Sequence, residues 1–397
     1  MSEFNVEFNV QFNVVGYKSY IKKIVQQRPC VDSTTLPLPL AMSSREEILR
    51  AVYRRAAAPS GIRVEWGPWM DGPRHGHVRV RVVCASVNPV DAKGLWGDKL
   101  PRSLAWLGPR LVEGRGVGFD FSGVVEAVGD GVSGLAVGEA VFGTTPVGVA
   151  SLAQRCDTPA GQVTRKPPRL SYAEAAALPL AGLTAIQAFR EHGLKKESRL
   201  LVIGASGGVG HVATQVAKAM GCSSITAVCS AAGADLALRS GADSLVDYRK
   251  GSAEVREQLM RHGPFDLCLD TVTSNADVDR DAGYPALVSL PGVLKSPATA
   301  VRGGRHVTIG GPFSDWCRAG FGRLTGGHVD PFPAARSLFW VNFPRTASQL
   351  DALAAMDVTP AIAHEWPFDD AHVQRAMQQL LARRTKGKIV LRLAPDP

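Results

Sequence analysis

Residues 200–220 read LLVIGASGGVGHVATQVAKAM and decide the fold of this chain. The four apolar residues from Leu200 to Ile203 are enough for a short buried strand, and a glycine-rich turn follows over residues 204–210. A strand, a glycine turn and a helix in this order predict a phosphate-binding element, because glycine lets the backbone approach a pyrophosphate and a helix N-terminus offers free N–H groups. The apolar stripe of the predicted helix recurs at helical spacing and consists of Val209, Val212, Ala213, Val216, Ala217 and Met220.

The glycine turn matches the dinucleotide fingerprint G-x-G-x-x-G only in part. When the pattern is aligned on its last glycine, Ala205 takes the first place, and Gly207 and Gly210 keep the other two. Such a turn also serves plain chain reversal. Here a strand precedes it and a helix follows, which favours dinucleotide binding.

The next predicted strand, Ile225–Cys229, indicates which dinucleotide is bound. An NAD-preferring site usually places Asp or Glu at the end of this strand to bind the ribose 2′-OH. This chain has Ser230 followed by two alanines, so no carboxylate at that place repels a 2′-phosphate. NADPH is therefore the expected cofactor. Arg239 and Arg249 either add charge to this site or are ordinary surface charges.

The composition restricts the class of protein. The 397 residues allow two domains, and 45% hydrophobic with 20% charged residues is typical of a soluble globular chain. The net charge is 45 − 36 = +9, but no dense basic run with interleaved aromatics predicts a nucleic-acid partner. The chain has no run of 18 apolar residues, so no membrane span is expected. Seven cysteines without a C-x-x-C pair predict reduced thiols inside a cell.

The pattern along the chain changes three times. Residues 1–45 contain a repeated Glu-Phe-Asn-Val and a proline-rich bridge, and are expected to be a disordered or targeting tail. Residues 46–170 show short strands, after a small helix led by residues 44–47, and predict a β-rich domain. Residues 171–345 alternate strands with helices, which predicts a parallel sheet covered on both faces. Residues 346–397 read as helix, helix and strand, and are expected to return to the first domain.

One helix start has a particularly clear signal. Ser171 stands three residues before Glu174, which is the spacing of a capping box, and an alanine-rich helix is predicted over residues 173–177.

Five motifs follow one another along the chain: Ala85–Asp91, Gly118–Val125, Gly204–Gly210, Gly303–Val307 and Gly387–Val390. The set is similar to the medium-chain dehydrogenase/reductase superfamily, in its quinone oxidoreductase branch, and within that branch to the mitochondrial reticulon-interacting oxidoreductase group. The resemblance covers about residues 60–393. It implies an α/β protein with a GroES-like, barrel-like β-rich domain, an inserted Rossmann domain with a doubly wound parallel sheet, and an active cleft between them.

The resemblance implies a zinc-free member of this superfamily. Zinc-dependent members carry a Gly-His-Glu motif and a cluster of closely spaced cysteines. Phe119 and Asp120 replace that His-Glu here and the cluster is missing, so no metal site is expected. Cys84 has no visible partner ligands and is expected to be a buried core thiol.

The resemblance also implies catalytic residues. Asn88 and Asp91 would shape the cleft near the nicotinamide, although Asn88-Pro89 is equally well a structural turn. Lys99 stands where related enoyl-thioester reductases have a tyrosine proton donor, with Trp96 nearby, and this departure counts against thioester reduction. Four further aromatic residues either line an apolar acceptor pocket or belong to the core: Trp316, Phe339, Trp340 and Phe343.

The cofactor contacts carry over from the family in four groups. Gly233 stands where some bacterial quinone reductases have a lysine near the 2′-phosphate, which weakens part of that contact. The groups are Ser206, Gly207, Gly208, Val209 and Gly210 for the pyrophosphate, Ser230 and Tyr248 for the 2′-phosphate and ribose, Val341 and Phe343 for the nicotinamide side, and Lys386, Gly387 and Lys388 as the C-terminal contact.

These observations lead to one expected function with two alternatives. The expected function is a zinc-independent, NADPH-dependent oxidoreductase that delivers hydride to a small apolar quinone or α,β-unsaturated carbonyl. Without a Lewis acid such electron-poor acceptors remain reducible. The alternatives are a non-catalytic NADPH-binding subunit or sensor in a larger assembly and a 2-enoyl thioester reductase. The resemblance hints at a mitochondrial location, with the cytoplasm as the alternative, and a homodimer is left open.

Overall fold

The computed structural model describes residues 47–54, 61–69, 72–92, 113–273, 283–296, 303–309, 336–338, 341 and 346–397. All of them lie in one compact unit that runs from Glu46 to Pro397. The tail expected over residues 1–45 lies outside the described residues, and the domain limits expected at residues 170 and 346 stay predictions.

The strands and helices of the described residues are numbered along the chain. The strands are β1 (Glu47–Tyr53), β2 (Ile62–Pro68), β3 (His77–Val87), β4 (Asp120–Val128), β5 (Ala140–Thr144), β6 (Arg155–Pro159), β7 (Val163–Arg165), β8 (Arg199–Ile203), β9 (Ser224–Cys229), β10 (Ser244–Asp247), β11 (Leu267–Asp270), β12 (Arg305–Thr308), β13 (Arg336–Leu338), β14 (Ile362–Pro367) and β15 (Lys388–Arg392). The α-helices are α1 (Pro89–Ala92), α2 (Tyr172–Ala177), α3 (Pro179–Glu191), α4 (Gly210–Ala219), α5 (Ala234–Arg239), α6 (Ser252–His262), α7 (Tyr284–Val288), α8 (Ala347–Ala355) and α9 (Asp370–Leu381).

The first large sheet combines strands β3 to β7 with the two last strands of the chain. Its strand order is β14-β15-β3-β4-β5-β7, and β6 pairs with β3. In β3, Val78, Val80 and Val82 are buried in the core of this sheet, as their alternation with polar residues predicts. β15 runs antiparallel to β3 with Ile389 opposite Val87, so the C-terminal segment belongs to the same sheet as β3 to β7.

The second large sheet confirms the doubly wound arrangement. All its strand pairs are parallel, and the order is β10-β9-β8-β11-β12-β13. Numbered from β8, this is the order 3-2-1-4-5-6 of a dinucleotide-binding sheet. The strand order reverses between β8 and β11, and ligands of such sheets bind outside the carboxyl ends of the strands at that point. The glycine turn after β8 lies at this position.

The two sheets share part of their core. Phe142 of the first sheet belongs to the same buried cluster as Leu183 of α3 and Ala213 of α4. The start of the preceding helix α2 has the predicted capping box, because the Ser171 hydroxyl accepts the Glu174 N–H and the Glu174 carboxylate accepts the Ser171 N–H. The helices that lead from the first sheet into the second are therefore fixed at their start and packed into both.

Two local predictions were wrong. A small helix was expected to begin at residues 44–47, but Glu47, the first described of these residues, begins strand β1, which pairs antiparallel with β2. The strand is favoured because Ala51, Val52 and Tyr53 bury their side chains, with Ala51 and Tyr53 in the core of the first large sheet. Strand β14 was missed between α8 and α9. It is an edge strand whose side chains are only half-buried or exposed, so its sequence carries little apolar alternation.

Candidate active site

The glycine turn between β8 and α4 is held tightly by its own backbone. Gly204 has φ +77°, which favours glycine. The N–H groups of Gly204 and Ala205 donate to the Val228 carbonyl of β9 at 3.0 and 3.1 Å. A Cβ added at Gly210 would lie 2.2 Å from the Gly204 oxygen, so this glycine allows the close approach of helix and turn. Gly210 is therefore needed for the packing of α4 against the turn, independently of any contact with a ligand.

Gly207 and Gly208 lie at the open side of the same turn. A Cβ at Gly208 would meet the Lys388 side chain at 3.2 Å and the Gly387 oxygen at 3.5 Å, and one at Gly207 would meet only the Gly204 oxygen, at 3.2 Å. No side chain caps the N-terminus of α4. The positive end of the helix dipole is thus open to an anion at this turn, although the His211 and Ala213 N–H groups already donate to the Gly207 and Val209 carbonyls. The residues present fit a pyrophosphate.

The predicted C-terminal contact reaches this turn through backbone. The Gly387 N–H donates to the Ser206 carbonyl at 3.0 Å. Gly387 has φ +87°, and a Cβ there would lie 2.4 Å from the Ala361 oxygen. Lys386 is exposed, whereas Lys388 is buried. The strand that contains Lys388 is therefore bonded to the glycine turn of residues 204–210, which is called the phosphate turn from here on.

The predicted adenosine-side residues follow β9 and β10. Ser230 is half-buried and Tyr248 is 46% exposed. The Asp247 carboxylate lies in this region, and its oxygens accept the Ala231 N–H at 3.3 Å and the Arg249 N–H at 3.0 Å. The Ala231 bond brings the loops that carry Ser230 and Tyr248 together.

The loop after β9 also approaches the phosphate turn. A Cβ at Gly233 would lie 2.3 Å from the Ser206 hydroxyl, so the glycine at the place of the bacterial lysine allows close contact with Ser206. Val341 is half-buried against the core of the second sheet. Lys99, Phe343, Trp96, Trp316, Phe339 and Trp340 lie outside the described residues, and their roles stay predictions.

Behind the phosphate turn, side chains from three strands form a buried polar cluster. The Lys388 ammonium donates to Asn88 Oδ1 at 2.6 Å and lies 3.5 Å from Asp120 Oδ2. Asn88 Nδ2 donates to the same Asp120 oxygen at 2.9 Å, and the Ser86 hydroxyl lies 3.1 Å from it. The other oxygen of Asp120 accepts the Leu180 N–H at 2.9 Å. Asp120 thus connects the first sheet to helix α3.

The charges of this cluster are all buried. Burial raises the pKa of Asp120, while Lys388 and Asn88 oppose that change. Burial likewise lowers the pKa of Lys388, and the two carboxylates Asp120 and Asp91 oppose it. The cluster therefore places two acids around one base with no water-exposed side chain among them.

Asp91 differs from Asp120 in that one of its oxygens has no partner. Its Oδ2 accepts the Asn88 N–H at 2.7 Å, which closes the turn that starts α1. Its Oδ1 is buried without a hydrogen-bond partner. Burial raises the pKa of Asp91 to about 7; the Asn88 N–H bond opposes this, and repulsion from Asp120 adds to it. The Tyr53 hydroxyl donates to the Asp91 carbonyl oxygen at 2.8 Å.

The structure therefore brings together three residues that the sequence placed in two separate groups: Asn88, Asp91 and Lys388. Whether Lys388 also contacts the cofactor stays a prediction. Sequence reasoning gave Asp120 no part in the site, although it was singled out as a replacement in the zinc motif. Tyr53 carried no signal, and Ser86 was named only as part of the Ala85–Asp91 motif, because the contacts of both side chains come from distant parts of the chain.

The described part of the chain shows neither a metal-ligand group nor a membrane-spanning helix. Within it, no three His, Cys, Asp or Glu side chains form a group that could hold a metal ion. Cys84 is buried, as predicted, and burial raises the pKa of its thiol to about 12. No helix among the described residues is long and apolar enough to cross a membrane.

A β-rich domain followed by a doubly wound sheet, with a phosphate turn at the strand-order reversal, defines a dinucleotide-dependent oxidoreductase of two domains. Two family models match: the alcohol dehydrogenase GroES-like domain over residues 74–188, and the zinc-binding dehydrogenase over residues 208–284.

Curated relatives share most of this chain. The human mitochondrial NAD(P)H oxidoreductase RTN4IP1 is 30% identical over 339 residues, which are 79% of this chain and 81% of that protein. The trans-enoyl reductase pgmF of Aspergillus terreus is 30% identical, with 82% and 90% coverage. The tomato (Solanum lycopersicum) 2-methylene-furan-3-one reductase is 32% identical, with 67% and 71% coverage. The chain belongs to the medium-chain dehydrogenase/reductase superfamily, as the resemblance predicted.

Solved structures share the fold. The quinone oxidoreductase of Coxiella burnetii has a TM-score of 0.68 at 21% identity and covers 88% of this chain and 100% of its own. A mycobacterial protein complexed with NADPH has a TM-score of 0.62 at 24% identity, with the same coverage. The GroES-like and Rossmann domains are thereby confirmed. The predicted nicotinamide cofactor is confirmed at the level of the family, and NADPH in particular is argued below.

Proposed function

We propose that this protein is a zinc-independent, NADPH-dependent oxidoreductase that delivers hydride to a quinone or an α,β-unsaturated carbonyl. The observation that carries the proposal is the bond from the Gly387 N–H to the Ser206 carbonyl. It connects the uncapped phosphate turn to the strand whose Lys388 reaches Asn88 and Asp120. The cofactor side and the predicted acceptor side are thus parts of one hydrogen-bonded structure.

The bound cofactor would supply the hydride, and the protein's part is to hold and orient it. Ser206–Gly210 would hold the pyrophosphate on backbone N–H groups. Ser230 and Tyr248 would contact the ribose and 2′-phosphate. The Asp247 carboxylate opposes an anion there, but its oxygens already accept the Ala231 and Arg249 N–H groups, which reduces its repulsion.

The polar cluster supports reduction of an acceptor that is already electron-poor. Phe119 is buried at the place of a metal ligand, and Asp120 beside it accepts hydrogen bonds from Asn88, Ser86 and Leu180. These residues are arranged to hold one another and the Lys388 ammonium rather than a metal ion. The names of the relatives agree with this chemistry, since they include a quinone oxidoreductase and reductases of enoyl and enone compounds.

The test is anaerobic NADPH oxidation, followed by absorbance, with a panel of acceptors. We expect turnover with a benzoquinone and with an α,β-unsaturated ketone, and none with the matching saturated ketone. The rates should be unchanged after dialysis against a chelator. Tight NADPH binding without oxidation by any acceptor would contradict the proposal and favour the non-catalytic subunit. Loss of activity on chelation would contradict its zinc-free part.

The location is proposed separately. Because the human relative is mitochondrial by name, we propose that residues 1–41 direct this chain to mitochondria. Imaging of the full chain and of a version that starts at Met42 tests this. A cytoplasmic signal for both forms would contradict it.

A further inference from the structure

His211, in the first turn of α4, is a buried residue that has no role in the proposed hydride transfer. Its Nδ1 lies 2.7 Å from the Gly207 carbonyl oxygen, and its Nε2 accepts the Ala361 N–H at 2.9 Å. A backbone N–H can only donate, so Nε2 carries the lone pair and the proton is on Nδ1. The ring is therefore a neutral bridge between the phosphate turn and the segment before β14.

The bridge fixes the direction of one peptide plane. The Gly207 carbonyl accepts from both Nδ1–H and the backbone N–H of His211, the latter at 3.2 Å, so it points into the helix. The peptide between Gly207 and Gly208 is planar and trans, which makes the Gly208 N–H point the opposite way. That direction leads out of the helix N-terminus, where the pyrophosphate is proposed to lie. His211 thus holds the Gly208 N–H in position through the other end of the same peptide.

The Nε2 side of the ring completes a closed network of hydrogen bonds with the C-terminal segment. Ala361 donates to His211 and accepts the Lys388 N–H at 2.8 Å, and Gly387 next to Lys388 donates to Ser206. The phosphate turn is thereby attached at Ser206 and, through His211, at Gly207 to the same C-terminal segment. The shared anchor at Ala361 keeps the two attachments in register.

The protonation state of the ring supports this role. Burial lowers the pKa of His211 to about 4; the bond to the Gly207 carbonyl opposes this, and the Lys388 charge adds to it. The ring therefore stays neutral, and Nε2 keeps its lone pair, at neutral pH.

We propose that His211 is a positioning residue for the cofactor, which sets the orientation of the Gly208 N–H toward the pyrophosphate and links the phosphate turn to the C-terminal segment of the first sheet. This inference rests on the proposed function, because it requires NADPH to bind at the glycine turn.

The chain offers a matched control one helical turn away. Gln215 makes a similar bridge from α4: its Oε1 accepts the Thr359 N–H at 2.9 Å, and its Nε2 donates to the Thr359 carbonyl at 3.1 Å. It also approaches the His211 carbonyl four residues back at 3.3 Å, but it does not touch the turn. Gln215→Ala therefore loosens the same contact without freeing the Gly207 carbonyl.

The experiment compares affinities for NADPH and for 2′-AMP, which keeps the 2′-phosphate but has no pyrophosphate. We expect His211→Ala to raise the Kd for NADPH about tenfold, since a positioned hydrogen bond is lost, and to leave the Kd for 2′-AMP unchanged. Gln215→Ala should change neither Kd by more than about twofold. His211→Gln should restore most of the affinity, because Gln215 shows that a glutamine here reaches both a carbonyl four residues back and the facing backbone.

The outcomes separate this inference from the proposed function. Wild-type protein that binds no NADPH would overturn the proposed function and this inference with it. Normal wild-type binding, with His211→Ala no weaker than Gln215→Ala, would overturn only the role of His211. If His211→Ala does not fold, the nitrogen chemical shifts of histidine-labelled wild-type protein decide at pH 7: a protonated Nδ1 and bare Nε2 support the inference, and the opposite tautomer overturns it.

Discussion

The phosphate turn and the buried polar cluster adjoin each other but are built by different means. The turn, Gly204–Gly210, offers backbone N–H groups, and its glycines have no side chains that must be kept in place. The cluster of Asn88, Asp91, Asp120 and Lys388 consists of side chains from two strands, from the residue after β3 and from a short helix, and its charges balance one another away from water. Binding by the turn should therefore respond to added charge or bulk, whereas the cluster should respond to the loss of a partner and to pH.

Loss of one charge from the cluster gives the largest expected effect. Lys388→Met removes the ammonium that lies between Asn88 and Asp120 and leaves a buried carboxylate without its cation. Breaking a buried pair in this way costs about 3–5 kcal/mol. We expect the free energy of unfolding, measured by urea denaturation, to fall by that order.

The control for this variant is an ion pair of the same type on the surface. Arg261 pairs with Glu257 on α6, and both side chains are about two-thirds exposed, at 67% and 68%. Arg261→Met should therefore cost no more than about 0.5 kcal/mol. Equal losses for the two variants would show that burial of Lys388 carries no energetic weight.

The next effect tests the turn. Gly208→Asp places a carboxylate at the helix N-terminus against the phosphates. Two like charges about 4 Å apart repel by roughly 4 kcal/mol at an effective dielectric of 20, which weakens binding several-hundredfold. We expect this loss in an NADPH titration by fluorescence, with circular dichroism close to that of the wild type, because an added Cβ meets only the Lys388 stem at 3.2 Å and the Gly387 oxygen at 3.5 Å.

Gly208→Ala separates charge from bulk, since it adds the same Cβ without the carboxylate. It should lose far less affinity than Gly208→Asp. A folded Gly208→Asp protein with wild-type affinity would mean that the dinucleotide does not lie on this turn.

The third effect is the pH dependence of the cluster. Asp91 has an ordinary pKa of 3.8, raised to about 7 in the fold. Between these values the folded protein holds a proton that the unfolded chain releases, so the contribution of Asp91 to stability is greatest below pH 4 and declines as pH rises to 7. Each pKa unit is about 1.4 kcal/mol, and coupling to Asp120 reduces the total to on the order of 2–4 kcal/mol.

Asp91→Asn removes this proton, while its side-chain oxygen can still accept the Asn88 N–H. We therefore expect the wild type to lose stability relative to Asp91→Asn between pH 4.5 and 8, in parallel denaturation series. A difference that stays constant over this range would contradict the assignment of the proton to Asp91.

The smallest effect concerns cofactor choice. A charge-assisted contact to the 2′-phosphate contributes on the order of 1.5–3 kcal/mol, so NADPH should bind at least about tenfold more tightly than NADH. Ser230→Ala should reduce that ratio. Ser223→Ala, at the opposite end of β9, should leave it unchanged. Equal dissociation constants for the two cofactors in the wild type would refute the predicted roles of Ser230 and Tyr248.

The same contrast explains what could be read from the sequence. The turn is contiguous, so Leu200–Met220 alone predicted strand, turn and helix. The alternating elements that follow predicted the parallel sheet. The cluster is assembled by pairing β15 with β3, about 300 residues apart along the chain, and no local pattern shows that Lys388 meets Asn88. The missed strand β14 and the mistaken helix before β1 have the same cause, since edge pairing and hairpin burial come from the tertiary structure.

The position of β15 has a consequence for how the protein is made. The strand lies inside the first sheet between β14 and β3, yet it follows every other element along the chain. During synthesis the Rossmann strands emerge and can pair before Lys388 has been translated, whereas Gly387 and Lys388 reach Ser206 and Asn88 only afterwards. Domains generally fold as units from the N-terminus during translation. A nascent chain stalled before residue 387 should therefore contain a phosphate turn that is folded but not yet bonded to the C-terminal segment. Tight binding of a dinucleotide would then be expected only after residues 387 and 388 have been translated.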